Sequence, residues 1–427
     1  MMSIQPALDL FDPNSEPASP LLRANGLSPH LTHKANLKHT RYGWLRLTPA
    51  YSVHLVSRLL DGLSEENPIV LDPFCGTGTT ALVCAERGIF ADTTDINPFL
   101  VWLATTKTRR YLPAELNAFQ EASRRVTEAV VLHADECSWV PPLHQIEKWW
   151  DERTSQALGR ALMSIKNEAF SSAISDLLTI AFCRTLIDCA NVSFGHQSMS
   201  FKKAALPDAT YQAEGAVASS WWKVSNDIYR SAFSEIAVEP RALLCDARHL
   251  SQALPPEHYD AVVTSPPYPN RMSYIRELRP YMYWLGYLQN GRAAGELDWT
   301  AIGGTWGCAT SYVGKWLPPA DRDVPYESFD TILTQIAAHS PLLSRYVHKY
   351  FYDMVGHVGE VYAVLKSGGV AHYVVGNSKF YDVMLPVEEI FAALLRQAGF
   401  ECVTVQQIRK RTSKKELFEY MVSARKP

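Results

Sequence analysis

Thr264-Ser265-Pro266-Pro267-Tyr268 is the stretch of this sequence with the clearest chemical potential. It follows the apolar, β-branched run Tyr259-Asp260-Ala261-Val262-Val263, so it reads as a loop leaving the carboxyl end of a buried strand, where open α/β sheets hold their ligands. Two consecutive prolines fix φ, and each biases the residue before it toward an extended backbone, which aims the carbonyls of Ser265 and Pro266. Tyr268 sets a flat ring beside them, a surface on which a planar heterocycle can stack. A primary amine on such a ring has two protons to donate, and two acceptors that hold both turn its lone pair toward an incoming electrophile. A stiff turn after a strand would use the same prolines, so the pentapeptide alone leaves both readings open.

A second constellation lies upstream. Pro68-Ile69-Val70-Leu71-Asp72 reads as a short buried strand, and Pro73-Phe74-Cys75-Gly76-Thr77-Gly78-Thr79-Thr80 turns from it into a helix beginning near Ala81. The glycines let backbone approach a ligand, and free N–H groups at a helix start bind polar or negative atoms. Gly88 to Thr94 gives a second strand ending at Asp95-Ile96, an acid suited to both hydroxyls of a ribose. Gly76-x-Gly78-x-x-Ala81 also satisfies the dinucleotide fingerprint, with Asp95 near the spacing of about 20 residues that it asks for, so the loop by itself does not choose a cofactor. Asp246-Ala247, after Ala242-Leu243-Leu244-Cys245, is a third acidic strand end, equally suited to capping a helix.

Taken in order, these motifs resemble the S-adenosylmethionine-dependent amino-methylating DNA methyltransferases. Phe74 to Gly78, preceded by Asp72-Pro73, looks like the family's cofactor motif, and Ser265 to Tyr268 like its catalytic motif, in the Ser form nearest the cytosine-N4 branch. The resemblance implies an α/β, Rossmann-like class I methyltransferase sheet, mostly parallel with an antiparallel edge strand. It implies S-adenosyl-L-methionine held by Asp72, Phe74, Gly76, Thr77, Gly78, Thr79, Asp95, Ile96, Asp246 and Ala247, with Ser265, Pro266, Pro267 and Tyr268 as the catalytic loop. Double-stranded DNA with the target base flipped out becomes the expected partner, together with a restriction or phage-defence companion. Adenine N6 and transfer-RNA guanine N2 offer similar amines and stay open, as does a catalytically silent nucleic-acid-binding module. Thr48 and Tyr51 become candidates at the methionine end of the cofactor, against the plainer reading of a capped core helix. A cytosine-C5 enzyme would need a Cys nucleophile after proline, and the sequence has no Pro-Cys pair.

Positioning these loops requires the alternating strands and helices on either side. An N-terminal arm over 1–33, a discontinuous catalytic domain over 34–106 and 239–427, and a helical insertion over 107–238 are expected, the insertion being a candidate substrate-recognition part. Its clearest helices run from Leu112 to Val131, Ser171 to Cys189 and Gly215 to Phe233, with Trp149-Trp150 and Trp221-Trp222 as core anchors. Its polar loop, Asn191 to Asp208, offers Ser193, His196, Gln197, Ser198, Lys202 and Lys203 for phosphates or base edges, or simply for water. After Tyr268, Arg271, Arg276 and Arg279 make a basic, aromatic flank suited to a polyanion. Gly291 to Asp323 reads as a long loop. A helix from about Tyr326 to Leu365, interrupted near Pro341, is expected to stop at Lys366-Ser367-Gly368-Gly369. A strand at Val370 to Val375, a helix at Pro386 to Ala398 and a closing strand pair complete the pattern, the pair being joined by the basic tip Arg409 to Lys415, which suits either phosphate binding or a solvated turn.

Composition sets wide bounds. At 427 residues, with 47% hydrophobic and 20% charged residues, the chain can bury a large core. A net charge of −3 gives no global field toward a polyanion, so nucleic-acid contact must come from local basic patches. Eight scattered cysteines suggest neither a zinc site nor a disulfide framework, so no metal is expected. Neither a signal peptide nor a run of membrane-spanning length is apparent, which points to the cytoplasm.

Overall fold

The computed structural model describes residues 36, 40–45, 51–132, 137–193, 200–202, 212–270, 273–305, 307–411 and 416–427. The proposed arm, Thr48, His196, Gln197, Ser198, Lys203, Arg271 and residues 412–415 of the basic tip lie outside them. The strands are β1 (Ile69–Asp72), β2 (Phe90–Asp95), β3 (Val192–Ser193), β4 (Ser200–Phe201), β5 (Arg241–Leu244), β6 (Tyr259–Thr264), β7 (Leu365–Gly376), β8 (Ser378–Phe380), β9 (Val383–Leu385), β10 (Glu401–Lys410) and β11 (Phe418–Arg425). Seven of them form one sheet in the order β10-β11-β7-β6-β1-β2-β5, and β3-β4 and β8-β9 are separate two-stranded ribbons. From β7 to β5 every neighbouring pair is parallel, whereas β11 is antiparallel to both β7 and β10. This is the Rossmann-like methyltransferase sheet with an antiparallel edge.

The strand order follows from burial. Val70 and Leu71 of β1 are wholly buried and pair with Ala261 and Val262 of β6, themselves wholly buried, so these two strands run up the middle. Asp260 joins their amino ends, accepting the Ile69 N–H at 2.8 Å and the Lys366 ammonium at 2.7 Å. Helix α1 (Val53–Asp61) precedes β1, α2 (Thr79–Arg87) returns to β2, and α3 (Pro98–Thr108) leads away, capped by the Asn97 side chain on the Phe99 N–H.

Helices α4 (Pro113–Leu132), α5 (Glu152–Asn167), α6 (Ser172–Asp188) and α7 (Ala213–Ala232) stand between β2 and β5 in the chain. Their core, with Phe119, Leu158, Phe182 and Trp221, is continuous with Phe99 and Leu103 of α3 and with Trp284 of α8 (Tyr274–Trp284). Trp149, Trp150 and Trp221 are buried anchors, and Trp222 is half exposed. Buried Arg41 ties the two ends of this unit together. Its guanidinium donates to the carbonyls of Lys107 and Arg109 at the end of α3, and of Ala232 and Ser234 at the end of α7, at 2.5 to 3.1 Å. Burial lowers its pKa to about 10.

Two sequence expectations are corrected. Residues 291–323 are not one long loop, because they hold α9 (Gly291–Thr300) and α10 (Cys308–Lys315), the first capped by Asn290 on the Ala293 N–H. Helix α11 (Phe329–His339) is followed by α12 (Pro341–Val364), split at Ser340 next to Pro341 as expected, but Gly368 and Gly369 do not terminate α12. They lie inside β7. The ladder pairs Tyr259 with Leu365 and then Ala261 with Val370, so the intervening residues bulge, and Gly368 and Gly369 exchange backbone bonds with Lys426 instead. Helix α13 (Val387–Gln397) then leads to the closing hairpin.

Candidate active site

The carboxyl ends of β6, β1, β2 and β5 stand side by side, and each carries one of the loops singled out above. At β1 the chain turns through Pro73 to Gly78, which takes φ +74° at the start of α2. A Cβ at Gly78 would lie 3.2 Å from that of Ala104, so the position needs both the left-handed backbone and the missing side chain. The loop is tied to β2 on one side, with the Cys75 N–H donating to the Thr94 carbonyl at 2.8 Å and the Gly76 N–H to Asp95 Oδ2 at 3.2 Å. Beneath it, buried Lys107 donates to the Thr77 carbonyl at 3.0 Å, and burial lowers its pKa to about 8. The Thr77 and Thr79 hydroxyls are 3.1 Å apart.

Asp72 links this loop to the Ser-Pro-Pro-Tyr loop. Its Oδ1 accepts the Phe74 N–H at 3.1 Å and the Thr264 hydroxyl at 2.6 Å, while its buried Oδ2 meets no hydrogen-bond partner among the described residues. Burial pushes its pKa up to about 7, against the hydrogen bonds from Thr264 and Phe74. Asp95 is raised to about 6, again by burial, against N–H donors of Asn97, Gly76 and Ile96. Asp246 differs: burial disfavours its charge, but Arg248 wraps both oxygens through its backbone N–H, Nε and Nη2 and holds the carboxyl below its usual range.

His357 of α12 braces the loops that follow β1 and β5. Its ring stands edge-on to Phe74 with centroids 4.8 Å apart, its Nδ1 is 2.9 Å from the Ala247 carbonyl and its Nε2 3.0 Å from the Tyr373 hydroxyl. The carbonyl can only accept, so Nδ1 carries the proton and Nε2 accepts from Tyr373. Burial, lowering the imidazole pKa to about 4, keeps the ring neutral.

In the Ser-Pro-Pro-Tyr loop, the Ser265 hydroxyl donates to the Val374 carbonyl at 3.1 Å, and the Pro267 carbonyl is taken by the Tyr350 hydroxyl at 2.7 Å. No described donor reaches the carbonyls of Ser265 and Pro266. The Tyr268 N–H meets the Tyr274 hydroxyl at 3.3 Å, and the Tyr268 ring lies against Gly376, where a Cβ would come within 2.8 Å of it. Burial raises the Tyr268 hydroxyl well above its ordinary pKa. Arg411, at the end of β10, lies over that ring with its Cζ 5.5 Å from the centroid. Tyr51 is placed nearby, its hydroxyl on Thr80 and on the Val263 carbonyl.

Of the expected basic flank, Arg276 is exposed in the first turn of α8 and Arg279 donates to the Arg276 carbonyl at 3.2 Å. Lys202 is exposed beside the separate β3-β4 ribbon of the helical unit. Lys107, Tyr350 and His357 enter the site without a local sequence signal, since each is brought in by chain far from the motif it supports, whereas Arg411 belongs to the basic tip that the sequence singled out. Among the described residues, no cluster of His, Cys, Asp and Glu could hold a metal ion, and no helix is long and apolar enough to cross a membrane.

A family profile described as DNA methylase, of the N6/N4 type, matches residues 27–105, the span that carries the glycine loop and Asp95. The Type II methyltransferase M.AvaI of Nostoc sp. (strain PCC 7120 / SAG 25.82 / UTEX 2576) is 22% identical over 405 residues, covering 87% of this chain and 81% of that protein. The Type II methyltransferase M.MvaI of Kocuria varians is 22% identical over 345 residues, 76% of this chain and 74% of the other. The chain is similar to the amino-methylating DNA methyltransferases. The relationship to the two Type II proteins extends through most of the chain, well beyond the profile match. Among solved structures, the rRNA methyltransferase aviRa from Streptomyces viridochromogenes aligns over 88% of this chain and 86% of that one at 12% identity, with a TM-score of 0.26, too loose for any residue comparison.

Proposed function

We propose that this protein transfers the methyl group of S-adenosylmethionine to the exocyclic amine of a base in double-stranded DNA, at a specific site, with cytosine N4 the favoured acceptor. The observation that carries the reading is the 2.6 Å bond from Thr264 to Asp72, which locks the glycine loop and the Ser-Pro-Pro-Tyr loop into one frame. Residues of the first loop fit a cationic nucleoside: Asp72 keeps a buried oxygen without a described partner, and Asp95 is held only through backbone N–H groups. Phe74, Gly76, Thr77, Gly78, Thr79, Asp95 and Ile96 would hold it, with Asp246 and Ala247 at its far end. Bound there, it supplies an electrophilic methyl group on a sulfonium.

The chain's own part is aim. The Ser265 and Pro266 carbonyls would accept hydrogen bonds from the two amine N–H groups and turn the nitrogen lone pair toward the methyl group that the cofactor would supply, and the proton lost from nitrogen would pass to solvent. In a duplex the base must leave its stack at a cost of a few kcal/mol, and the Tyr268 ring is the surface that receives it. A matching restriction endonuclease is the partner that such a mark would hold in check.

Nucleoside analysis of DNA from cells expressing the protein tests this directly. N4-methylcytosine is the expected product; N6-methyladenine would keep the enzyme and change the acceptor, and unmodified DNA despite bound cofactor would leave a binding module. Within the reading, Tyr268→Ala should lower methyl transfer roughly ten- to a hundredfold, the equivalent of about 1–3 kcal/mol of lost base stacking, while Tyr268→Phe stays near wild type. Equal damage in both variants would give the role to the hydroxyl.

A further inference from the structure

We propose that Arg411 is the cation that takes the phosphate flanking the extruded base, an inference that rests on the function just described. Its guanidinium now occupies one face of the Tyr268 ring. A planar, weakly hydrated cation is well suited to such a face, and it fills the place that a stacked base would want. Its anchorage is slight. The backbone is fixed, with the Arg411 N–H donating to the Leu417 carbonyl at 2.8 Å, but among the described residues the guanidinium makes one hydrogen bond, from Nη1 to the Asn377 carbonyl at 3.1 Å.

The acid on the neighbouring strand is already committed. Glu419, whose charge bears on Tyr268, is held by Arg409 through two bonds of 2.7 and 2.6 Å. Among the described residues no carboxylate pairs with Arg411. The strand end therefore sets beside the catalytic loop a guanidinium with no countercharge among the described residues, fixed at its root by the Leu417 carbonyl and held at its tip by a single described hydrogen bond. A base arriving on Tyr268 displaces it sideways, and the phosphodiester that arrives with the base supplies the missing negative charge in bidentate form.

The test compares wild type, Arg411→Ala and Arg411→Lys on a DNA duplex carrying the methylated site, measuring the salt dependence of DNA binding, the KM for DNA and the affinity for S-adenosylmethionine. Arg411→Ala should reduce the slope of log K against log[salt] by about 1 and raise the KM for DNA about tenfold, with cofactor affinity unchanged. Arg411→Lys should restore the slope, because the charge returns, and only part of the KM, because the planar fork does not. A wild-type slope and KM in Arg411→Ala would overturn the inference while leaving the methyltransferase reading intact. If wild type binds DNA without methylating it, that reading falls and the slope comparison still judges Arg411. Absence of DNA binding by the wild type overturns both.

Discussion

Asp95 and Asp246 close neighbouring parallel strands at the same edge of the sheet, yet they are held in opposite ways. Asp95 is satisfied only by backbone N–H groups and is pushed up to about 6 by burial, whereas Asp246 is wrapped by Arg248 and held below its usual range. Arg248 also reaches Asp353 at 3.1 Å and the Thr300 carbonyl at 2.7 Å, which makes Asp246 one member of a local ion network. A carboxylate whose charge nothing offsets is ready for a cation or a pair of hydroxyls. One that already has a guanidinium is a structural tie. In the proposed function this contrast would give the side-chain role in cofactor binding to Asp95 and leave to the 246–247 loop mainly its backbone.

The contrast breaks most decisively at Asp95. Asp95→Ala should weaken S-adenosylmethionine binding by one to two orders of magnitude in calorimetry, since hydrogen bonds to a charged group are worth about 1.5–3 kcal/mol. Next in size, Gly78→Ala puts a side chain into the left-handed region beside Ala104 and should cost about 1–2 kcal/mol in denaturant unfolding, with cofactor affinity falling as the Gly76 N–H leaves Asp95.

A pH series sharpens the comparison. Asp72 and Asp95 have folded-state values raised to about 7 and about 6, so between the usual carboxylate range and pH 7 the folded chain binds more protons than the unfolded one, and their contribution to stability falls as pH rises. A cationic ligand favours the ionised forms, so cofactor affinity should climb up to about tenfold between pH 5 and 7.5, and Asp72→Asn should flatten that climb. Asp246, lowered instead, contributes stability that is lost only as pH falls through its own depressed value. The smallest effect belongs to Asp246→Ala: less than about threefold on cofactor affinity, with about 1 kcal/mol of stability lost from the broken ion pair. A loss there as deep as that of Asp95→Ala would abolish the distinction.

What the sequence made legible was local. The strand-end acids, the glycine loop and the closing hairpin announce themselves within windows of ten residues, because period and turn chemistry are short-range properties. Helices α9 and α10 were hidden by Gly, Trp and Thr, since a cap such as Asn290 and a buried Ala294 leave a weaker trace than an apolar stripe. Gly368-Gly369 misled for the opposite reason: the residues carry a stop signal that the parallel pairing with β6 converts into a bulge. Arg248 neutralises Asp246 from two positions away, but its spacing cannot tell a clamp from a free guanidinium. The Arg411 contact with Tyr268 joins the two ends of the catalytic half, and only the folded sheet brings them together.

The clamp made by Arg41 carries a consequence for how the chain is born. Its last carbonyl acceptor, that of Ser234, is 193 residues downstream. During synthesis the Arg41 guanidinium is made long before the end of α7, so its full set of acceptors is complete only when the whole helical unit has been made. Truncated nascent chains ending before residue 232 should leave the Arg41 region open to protease, and chains extended well past 234 should close it, as limited digestion of stalled translation complexes would reveal.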